Sequence, residues 1–447
     1  MNEILPQDFA RQFGAHDIDL QAARFICALS GGLDSICLLH LLNAVGAQIR
    51  CVHVNHGLQA DAAQWARFCE QQAAHYQVPC AVHTLTISGT DNLEERCRKM
   101  RREIFAAELR DEEILLTAHH QDDQTETFFL QLLRGAGPAG LQAMPAVPVK
   151  FGVGQHFRPL LPWTRQSLKD YAQREGLQWH DDPSNDVNVH DRNYLRNEVM
   201  PRILERWPGA HATVRRSVEL MRDSSELLQV LAEHDGALST VGRQLDFASL
   251  RTIGERRISN VLRHWLKRLN VRPPNYARLS EGVRQFLEAS SERAPLLTWS
   301  DGVIQRYRDT LMFFDPCEDA DLRACIKVVP EQWLALPSGC GRWRLREVTG
   351  TAGHLHGTQC DPEQLQVSFR TSGERLLRED GSHQPLKDWF QQRGVPGELR
   401  KRTPLLMHDD EIIAVGDGWI NPRMQPVVNA SAWRVEWDFP GSQSVQN

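Results

Sequence analysis

Residues 30–35 read Ser-Gly-Gly-Leu-Asp-Ser, after the apolar run RFICAL and before the apolar run ICLLHLL. Small residues at a strand-to-helix turn gather backbone N–H groups and a helix N-terminus at one point, which attracts anions. Two hydroxyls and successive N–H donors suit a pyrophosphate. Asp34 offers a carboxylate for the Mg²⁺ that accompanies ATP. A Walker loop, G-x-x-x-x-G-K-[ST], would add a lysine for the terminal phosphates. No Gly-Lys dipeptide occurs anywhere in the chain, so γ-phosphoryl transfer by that route is unsupported. Nucleotide contacts are expected at Ala28, Ser30, Gly31, Gly32, Leu33, Asp34 and Ser35.

A second set of chemistry-bearing residues lies in HHQDDQTETFFLQLL, 119–133. Asp123 and Glu126 are three apart on a predicted helix and share a face near its N-terminus. Such a pair can grip an amine and accept its proton. Asp122 reads most simply as a first-turn acid complementing the helix dipole. His53, Asn55 and His56 stand at the end of a predicted strand and either touch the nucleotide or support the loop. Arg192 and Arg196, four apart on another helix, share a face that can clamp an α-phosphate or an RNA phosphate.

Cations cluster in three places: Arg96, Arg98, Lys99, Arg101 and Arg102; Arg256, Arg257, Arg263, Lys267 and Arg268; and Arg400, Lys401 and Arg402. The formal net charge is −6 and the isoelectric point about 6.3, so the chain is not globally basic. Separated basic patches on a mildly acidic chain fit an elongated polyanion, with phosphate contacts supplying affinity and salt dependence. Trp207, Trp265 and Trp389 either stack on bases or belong to cores, the commoner fate of large aromatics near helix ends.

The elements that must position these residues alternate. RFICALS, QIRCVHVNH, PCAVHTLTI and EILLTAHH read as strands; SICLLHLLNAV, DAAQWARFCEQQAAHY, NLEERCRKMRREIFAAELR and DDQTETFFLQLLR read as helices. That pattern implies βαβ units, and hence an α/β fold with a parallel sheet and helices on both faces. GAGPAGLQAMPAVPVKFGVGQ is expected as a loop or hairpin over the sheet's carboxyl edge, where such folds keep ligands. Length suggests two to four domains of about 100–200 residues. The divisions fall at 1–205 (catalytic), 206–325 (mainly helical) and 326–447 (a small α+β domain of short strands, interrupted by the helix PLKDWFQQRG).

Hydrophobic residues make up 41% of the 447, yet no apolar run of roughly 18 residues suggests a membrane helix. MNEILPQDFARQF lacks the pattern of a signal peptide. Ten cysteines stand at 27, 37, 51, 69, 80, 97, 317, 325, 340 and 360 without a C-x-x-C pair. Buried reduced thiols in a cytoplasmic protein are expected, with no zinc or iron–sulfur cluster.

Ser30-Gly31-Gly32-Leu33-Asp34-Ser35 resembles the loop of the N-type ATP pyrophosphatases, a Rossmann-like superfamily. It implies cleavage of ATP between its α- and β-phosphates and adenylation of a carbonyl-type oxygen. Four further stretches sharpen the resemblance: CVHVNHGL (51–58), TAHHQDDQTETFFLQLLRGAGPAGLQAM (117–144), RPLLPWTR (158–165) and DDPSNDVNVHDRNYLRNEVMP (181–201). With FRTSGERL and GVPGELRKRTPLLMHDDEIIAVGDGWI near the end, the chain is similar to the tRNA(Ile)-lysidine synthetases.

The resemblance implies joining of free L-lysine to C2 of the wobble cytidine of the CAU-anticodon tRNA(Ile), with ATP converted to AMP and pyrophosphate. It places lysine at Asp123 and Glu126, the nucleotide beside His120, His53 and His56, and RNA along Arg98 and Arg101. Relatives commonly carry an aromatic where this chain has Arg102. The other expected RNA contacts are Arg256, Arg257, Arg400, Lys401 and Arg402. Asp34, Asp123, Glu126, Arg192 and Arg196 are the expected catalytic residues, Asp34 also holding Mg²⁺. Members are often homodimers.

Three rival readings are weaker. A tRNA thiolase needs a reactive cysteine pair or a cluster. An amidating ligase needs an ammonia source, and no glutaminase-like stretch precedes the loop. A catalytically dead binding protein would have no need for the complete set Ser30, Gly31, Gly32, Asp34, Asp123 and Glu126.

Overall fold

The computed structural model describes residues 3–55, 57, 62–85, 93–181, 190–236, 240–290, 293–323, 325–349, 354–356, 364–425 and 431–440. His56, Cys360 and the 182–189 part of the fourth motif lie outside them. The chain divides into two compact units, 1–226 and 227–447.

In the first unit the alternation read from sequence is realised. After α1 (Pro6–Gly14) come β1 (Arg24–Ala28), α2 (Leu33–Ala44), β2 (Gln48–Asn55), α3 (Ala62–His75), β3 (Cys80–Thr84), α4 (Leu93–Glu108), β4 (Ile114–Leu116) and α5 (Gln121–Leu133). Then follow α6 (Pro138–Leu141), β5 (Val149–Phe151), β6 (Gly154–Phe157), α7 (Arg165–Arg174), α8 (Asp191–Tyr194), α9 (Met200–Arg206) and α10 (Ala210–Gly236), which runs past the unit boundary.

The sheet order is β3-β2-β1-β4-β6-β5. All pairings are parallel except the edge hairpin β5–β6. The glycine- and proline-rich stretch thus supplies a hairpin that widens the sheet, because β6 pairs with β4.

Strand periodicity of two sends alternate side chains of β1 to opposite faces. Phe25 and Cys27 pack with α1, α2 and α7 residues, including Phe13, Leu38 and Tyr171. Ile26 packs with Val52, Leu115 and Phe105 of α4. Helix α2 is buried on nearly every side, Ile36, Cys37, Leu38, Leu39, Leu41 and Leu42 all being in the core, so it shows no amphipathic stripe. Cys27, Cys51 and Cys80 stand in register across three strands. A hydrogen bond with Cys27, then burial, pushes the Cys51 thiol up, and burial does the same to Cys69 and Cys80, keeping all three protonated and packed.

The second unit pairs helices with antiparallel sheets. Helices Glu255–Arg268 and Tyr276–Glu288 close a core that includes Trp265, Phe286 and Phe313. The same core is backed by a five-stranded sheet whose middle strands are Gln244–Asp246, Thr310–Phe314 and Gly302–Tyr307. Further on, Arg342–Thr349 and Ser431–Asp438 pair in an eight-residue ladder. Gln305 accepts the Glu398 N–H at 3.0 Å, and Arg402 donates to the Asp315 carbonyl at 2.9 Å, so these two parts of the unit are stitched by buried polar contacts.

Candidate active site

The carboxyl ends of β1, β4 and β6 carry the chemistry. After β1 the chain turns at Gly31, whose φ of +84° suits glycine. A Cβ there would lie 2.5 Å from Trp65 Nε1 and 2.9 Å from Cys69 Sγ, so the turn also needs glycine for space. Ser35 Oγ, in the first turn of α2, accepts the N–H groups of Ser30 (3.2 Å) and Gly31 (3.1 Å) and donates to the Gly32 carbonyl (3.0 Å). The loop is therefore wound round one hydroxyl. His53 is buried and its Nδ1 lies 2.8 Å from the Leu29 carbonyl; it braces the loop from beneath. Asn55 donates to the Ala62 carbonyl and accepts the Gly57 N–H, shaping the turn after β2.

Asp34 points one oxygen, Oδ2, at His120 Nε2, 3.6 Å away. Its other oxygen, Oδ1, is closed off from water with no hydrogen-bond partner among the described residues. His120 begins α5 and is only 2% exposed. Its Nε2 is also 3.4 Å from Asp123 Oδ2, and its Nδ1 is 3.7 Å from Asp122 Oδ2. Burial opposes charge on this imidazole, but Asp123, Asp122 and Asp34 outweigh it and push its pKa up to about 10. It is a fixed cation at neutral pH. Asp123 in turn caps the helix by accepting the His120 N–H at 3.0 Å. Burial works against its charge, yet His120 and Arg192 hold it down to about 2.

Asp123 and Glu126 share the expected face of α5. They meet the two arginines assigned to phosphate. Arg192 reaches Glu126 Oε2 through Nε (2.7 Å) and Asp123 Oδ1 through Nη2 (2.9 Å). Arg196 reaches Glu126 Oε1 through Nε (2.6 Å) and Asp123 Oδ1 through Nη2 (3.2 Å). The Glu126 side chain is only 3% exposed. Arg192 sits in α8, and Arg196 in the widened π-helical turn Leu195–Val199. Pro201 stands just beyond that turn and cannot extend an i→i−4 ladder. π-Turns concentrate at functional sites.

One strand away lies a set that the sequence did not disclose. Arg158 Nη2 donates to His156 Nδ1 (3.2 Å), and Thr117 Oγ1 lies 2.8 Å from both His156 Nε2 and His119 Nδ1. Arginine only donates, so His156 carries its proton on Nε2 and gives it to Thr117, whose hydroxyl proton goes to His119 Nδ1. His119 is held in the Nε2–H form. Burial, together with Arg158, lowers His156 to about 3; burial outweighs Asp123 at His119 and lowers it to about 4. Both rings are neutral. The motif RPLLPWTR laces this region to α5: Gln121 N–H donates to the Trp163 carbonyl (2.8 Å) and Arg165 N–H to Asp122 (3.0 Å).

Of the expected RNA contacts, Arg98, Arg101 and Arg102 are exposed on α4, with Arg102 over the Phe151 ring at 5.2 Å. Arg256 and Arg257 are exposed, the latter paired with Asp235. Arg400 is half-buried and Lys401 exposed. Arg402 must be removed from the set. It is 2% exposed, paired with Glu398 at 3.2 Å and stacked on Phe314. Trp265 and Trp389 are buried, while Trp207 is exposed.

A lysine-free phosphate loop on a parallel sheet, facing a buried acid–histidine cluster, defines an ATP-using PP-loop protein. The family model described as "PP-loop domain" matches residues 5–203. Two more, "TilS substrate binding domain" and "TilS substrate C-terminal domain", match 245–312 and 365–437. The chain is 38% identical to the tRNA(Ile)-lysidine synthase of Alkalilimnicola ehrlichii over 432 residues, 93% of each chain. It is 34% identical to that of Serratia proteamaculans over 448 residues, 98% of this chain and 99% of the other. The chain belongs to the tRNA(Ile)-lysidine synthase family. Among solved structures, the U34-tRNA thiolase NcsA of Methanococcus maripaludis is similar at 18% identity and a TM-score of 0.41, over 48% of this chain and 78% of that one. That likeness is too low to bear on function. Among the described residues no helix is long and apolar enough to cross a membrane, and no group of three or more His, Cys, Asp or Glu is arranged to hold a metal.

Proposed function

We propose that the protein joins the ε-amine of L-lysine to C2 of the wobble cytidine in the CAU-anticodon tRNA(Ile), converting ATP to AMP and pyrophosphate in the cytoplasm. The cytosine oxygen attacks the α-phosphorus and pyrophosphate leaves. The amine then attacks C2, and AMP departs with that oxygen. Cytosine C2 is otherwise a poor electrophile, because its oxygen is a poor leaving group. The observation that carries this reading is the joining of the lysine-free loop, through Asp34 and His120, to the carboxylates Asp123 and Glu126.

The roles of individual residues follow from their chemistry. Ser30, Gly31, Gly32 and Ser35 cradle the pyrophosphate, with Ala28, Leu33 and His53 supporting the loop. Asp34 Oδ1, buried and without a partner among the described residues, fits Mg²⁺ arriving with ATP; the ion would neutralise charge on the departing pyrophosphate. Asp123 and Glu126 receive the lysine amine and take up its proton. An alkylammonium carries the same charge as a guanidinium, so the amine enters by displacing Arg192 or Arg196. The displaced arginine is then free for the α-phosphate. The middle and last parts of the chain, 206–325 and 326–447, add contacts to tRNA through Arg256, Arg257, Arg400 and Lys401, and a homodimer suits the family.

Incubation with ATP, labelled lysine and tRNA(Ile) transcript tests this. Label should enter the RNA only when both ATP and that tRNA are supplied. Sulfur transfer, or RNA that stays unlabelled, contradicts it.

A further inference from the structure

Among the described residues Arg158 uses only one of its nitrogens. Nη2 serves His156, whereas Nε and Nη1 are closed off from water with no partner among the described residues. No carboxylate among the described residues pairs with it. Its charged neighbours are cations: burial first, then Arg98 and Arg102, lower its pKa to about 10. Arg102 reaches the same place over Phe151, whose ring is 5.7 Å from that of His156. An uncompensated half-buried guanidinium is costly unless something of opposite charge arrives.

The geometry points to a phosphate-binding site at Arg158, flanked by Arg98, Arg101 and Arg102 of α4, which takes a backbone phosphodiester of the RNA beside the base being modified. This rests on the proposed tRNA reaction and assigns a role to the RPLLPWTR motif. RNA is favoured over the phosphates of ATP by position. The nucleotide loop follows β1, whereas Arg158 follows β6, with β4 and the Thr117–His119 pair between them. The flanking arginines are exposed, which suits a polymer passing over the site. Guanidinium N–H groups left without a protein partner among the described residues can each donate to an unesterified oxygen of a phosphodiester.

The test uses the full chain with Arg158→Met and Arg158→Lys. For Arg158→Met, tRNA(Ile) should bind about tenfold more weakly, with a salt slope shallower by about 0.7–0.9 and ATP KM within about twofold of the parent. Its melting temperature in low salt should be unchanged or higher, because an unmatched half-buried charge has gone. Arg158→Lys should keep the slope. A transcript with one neutral methylphosphonate linkage flanking the wobble cytidine should bind the parent about tenfold more weakly and lose nothing further with Arg158→Met.

Unchanged RNA affinity and slope overturn the proposal. A raised ATP KM with unchanged RNA binding assigns the site to the nucleotide and also overturns it. A lowered melting temperature with intact RNA binding makes Arg158 structural and overturns it equally. Failure of the tRNA reaction itself shows separately, as unlabelled RNA with the unaltered protein.

Discussion

Around Asp123 and Glu126, two guanidiniums face two carboxylates and every charge is matched. Around Arg158, a partly free guanidinium looks toward other arginines and neutral imidazoles. Both regions flank the start of α5, within one strand of each other. The contrast fits the occupant proposed for each. A saturated acid pair already holding cations is preorganised for another cation and must exchange one to accept it. An unsaturated cation is preorganised for an anion. The second unit gives a further contrast, since Arg402 has its charge matched by Glu398 and also donates to a carbonyl, with only Nε left without a partner among the described residues.

The most damaging substitution removes the carboxylate that belongs to neither set. Asp34→Ala should lower AMP formation about 10³-fold while leaving tRNA affinity within about twofold. A large loss of tRNA binding would mean Asp34 organises the RNA site instead. Next in size are the saturated pairs. Removing one partner of a buried ion pair costs about 3–5 kcal/mol, so Glu126→Ala and Arg402→Ala should both lower stability into that range in urea melts. Only Glu126→Ala should also raise the lysine KM. A loss below about 1 kcal/mol at Glu126 would mean its two arginines already have another anion.

For the exposed arginines of α4, Arg98→Ala with Arg101→Ala should weaken tRNA binding by about 10–100-fold and flatten its salt dependence, without changing the melt. An unchanged slope moves the RNA elsewhere. The last prediction is a pH effect at His120. Its folded pKa of about 10 exceeds the unfolded value of about 6.5. Its stabilising contribution is therefore complete below about pH 6.5 and is lost as pH rises through about 10. NMR titration should place the His120 midpoint near 10, and Asp123→Asn should lower it. A midpoint near the unfolded value of about 6.5 in the unaltered protein would dissolve the acid–histidine cluster.

What the sequence disclosed follows from contiguity. The loop 30–35 is legible because all its donors lie in one hexapeptide, and the alternation of strands and helices is legible because each element is long enough to show its period. Asp123 and Glu126 are legible as a helical pair. That their partners are Arg192 and Arg196 is not legible, because the i,i+4 spacing reads those two as a phosphate clamp and the π-turn leaves no periodic trace. The set Arg158–His156–Thr117–His119 joins two strands that are neighbours only because the β5–β6 hairpin widens the sheet, and no local pattern reports that pairing. Arg402 misleads for the opposite reason: a basic run looks like surface, while the helix carrying it turns one of its three cations inward. In the middle region the strands Thr240–Val241 and Gln244–Asp246 are too short to alternate visibly.

The proposed chemistry depends on ATP being cut after its first phosphorus, so that the cytosine oxygen becomes a leaving group. Chromatography of the nucleotide products from a reaction containing tRNA(Ile) and lysine reads this out. AMP and pyrophosphate are expected in equal amounts, one of each per lysine joined to RNA. ADP with orthophosphate would contradict that chemistry.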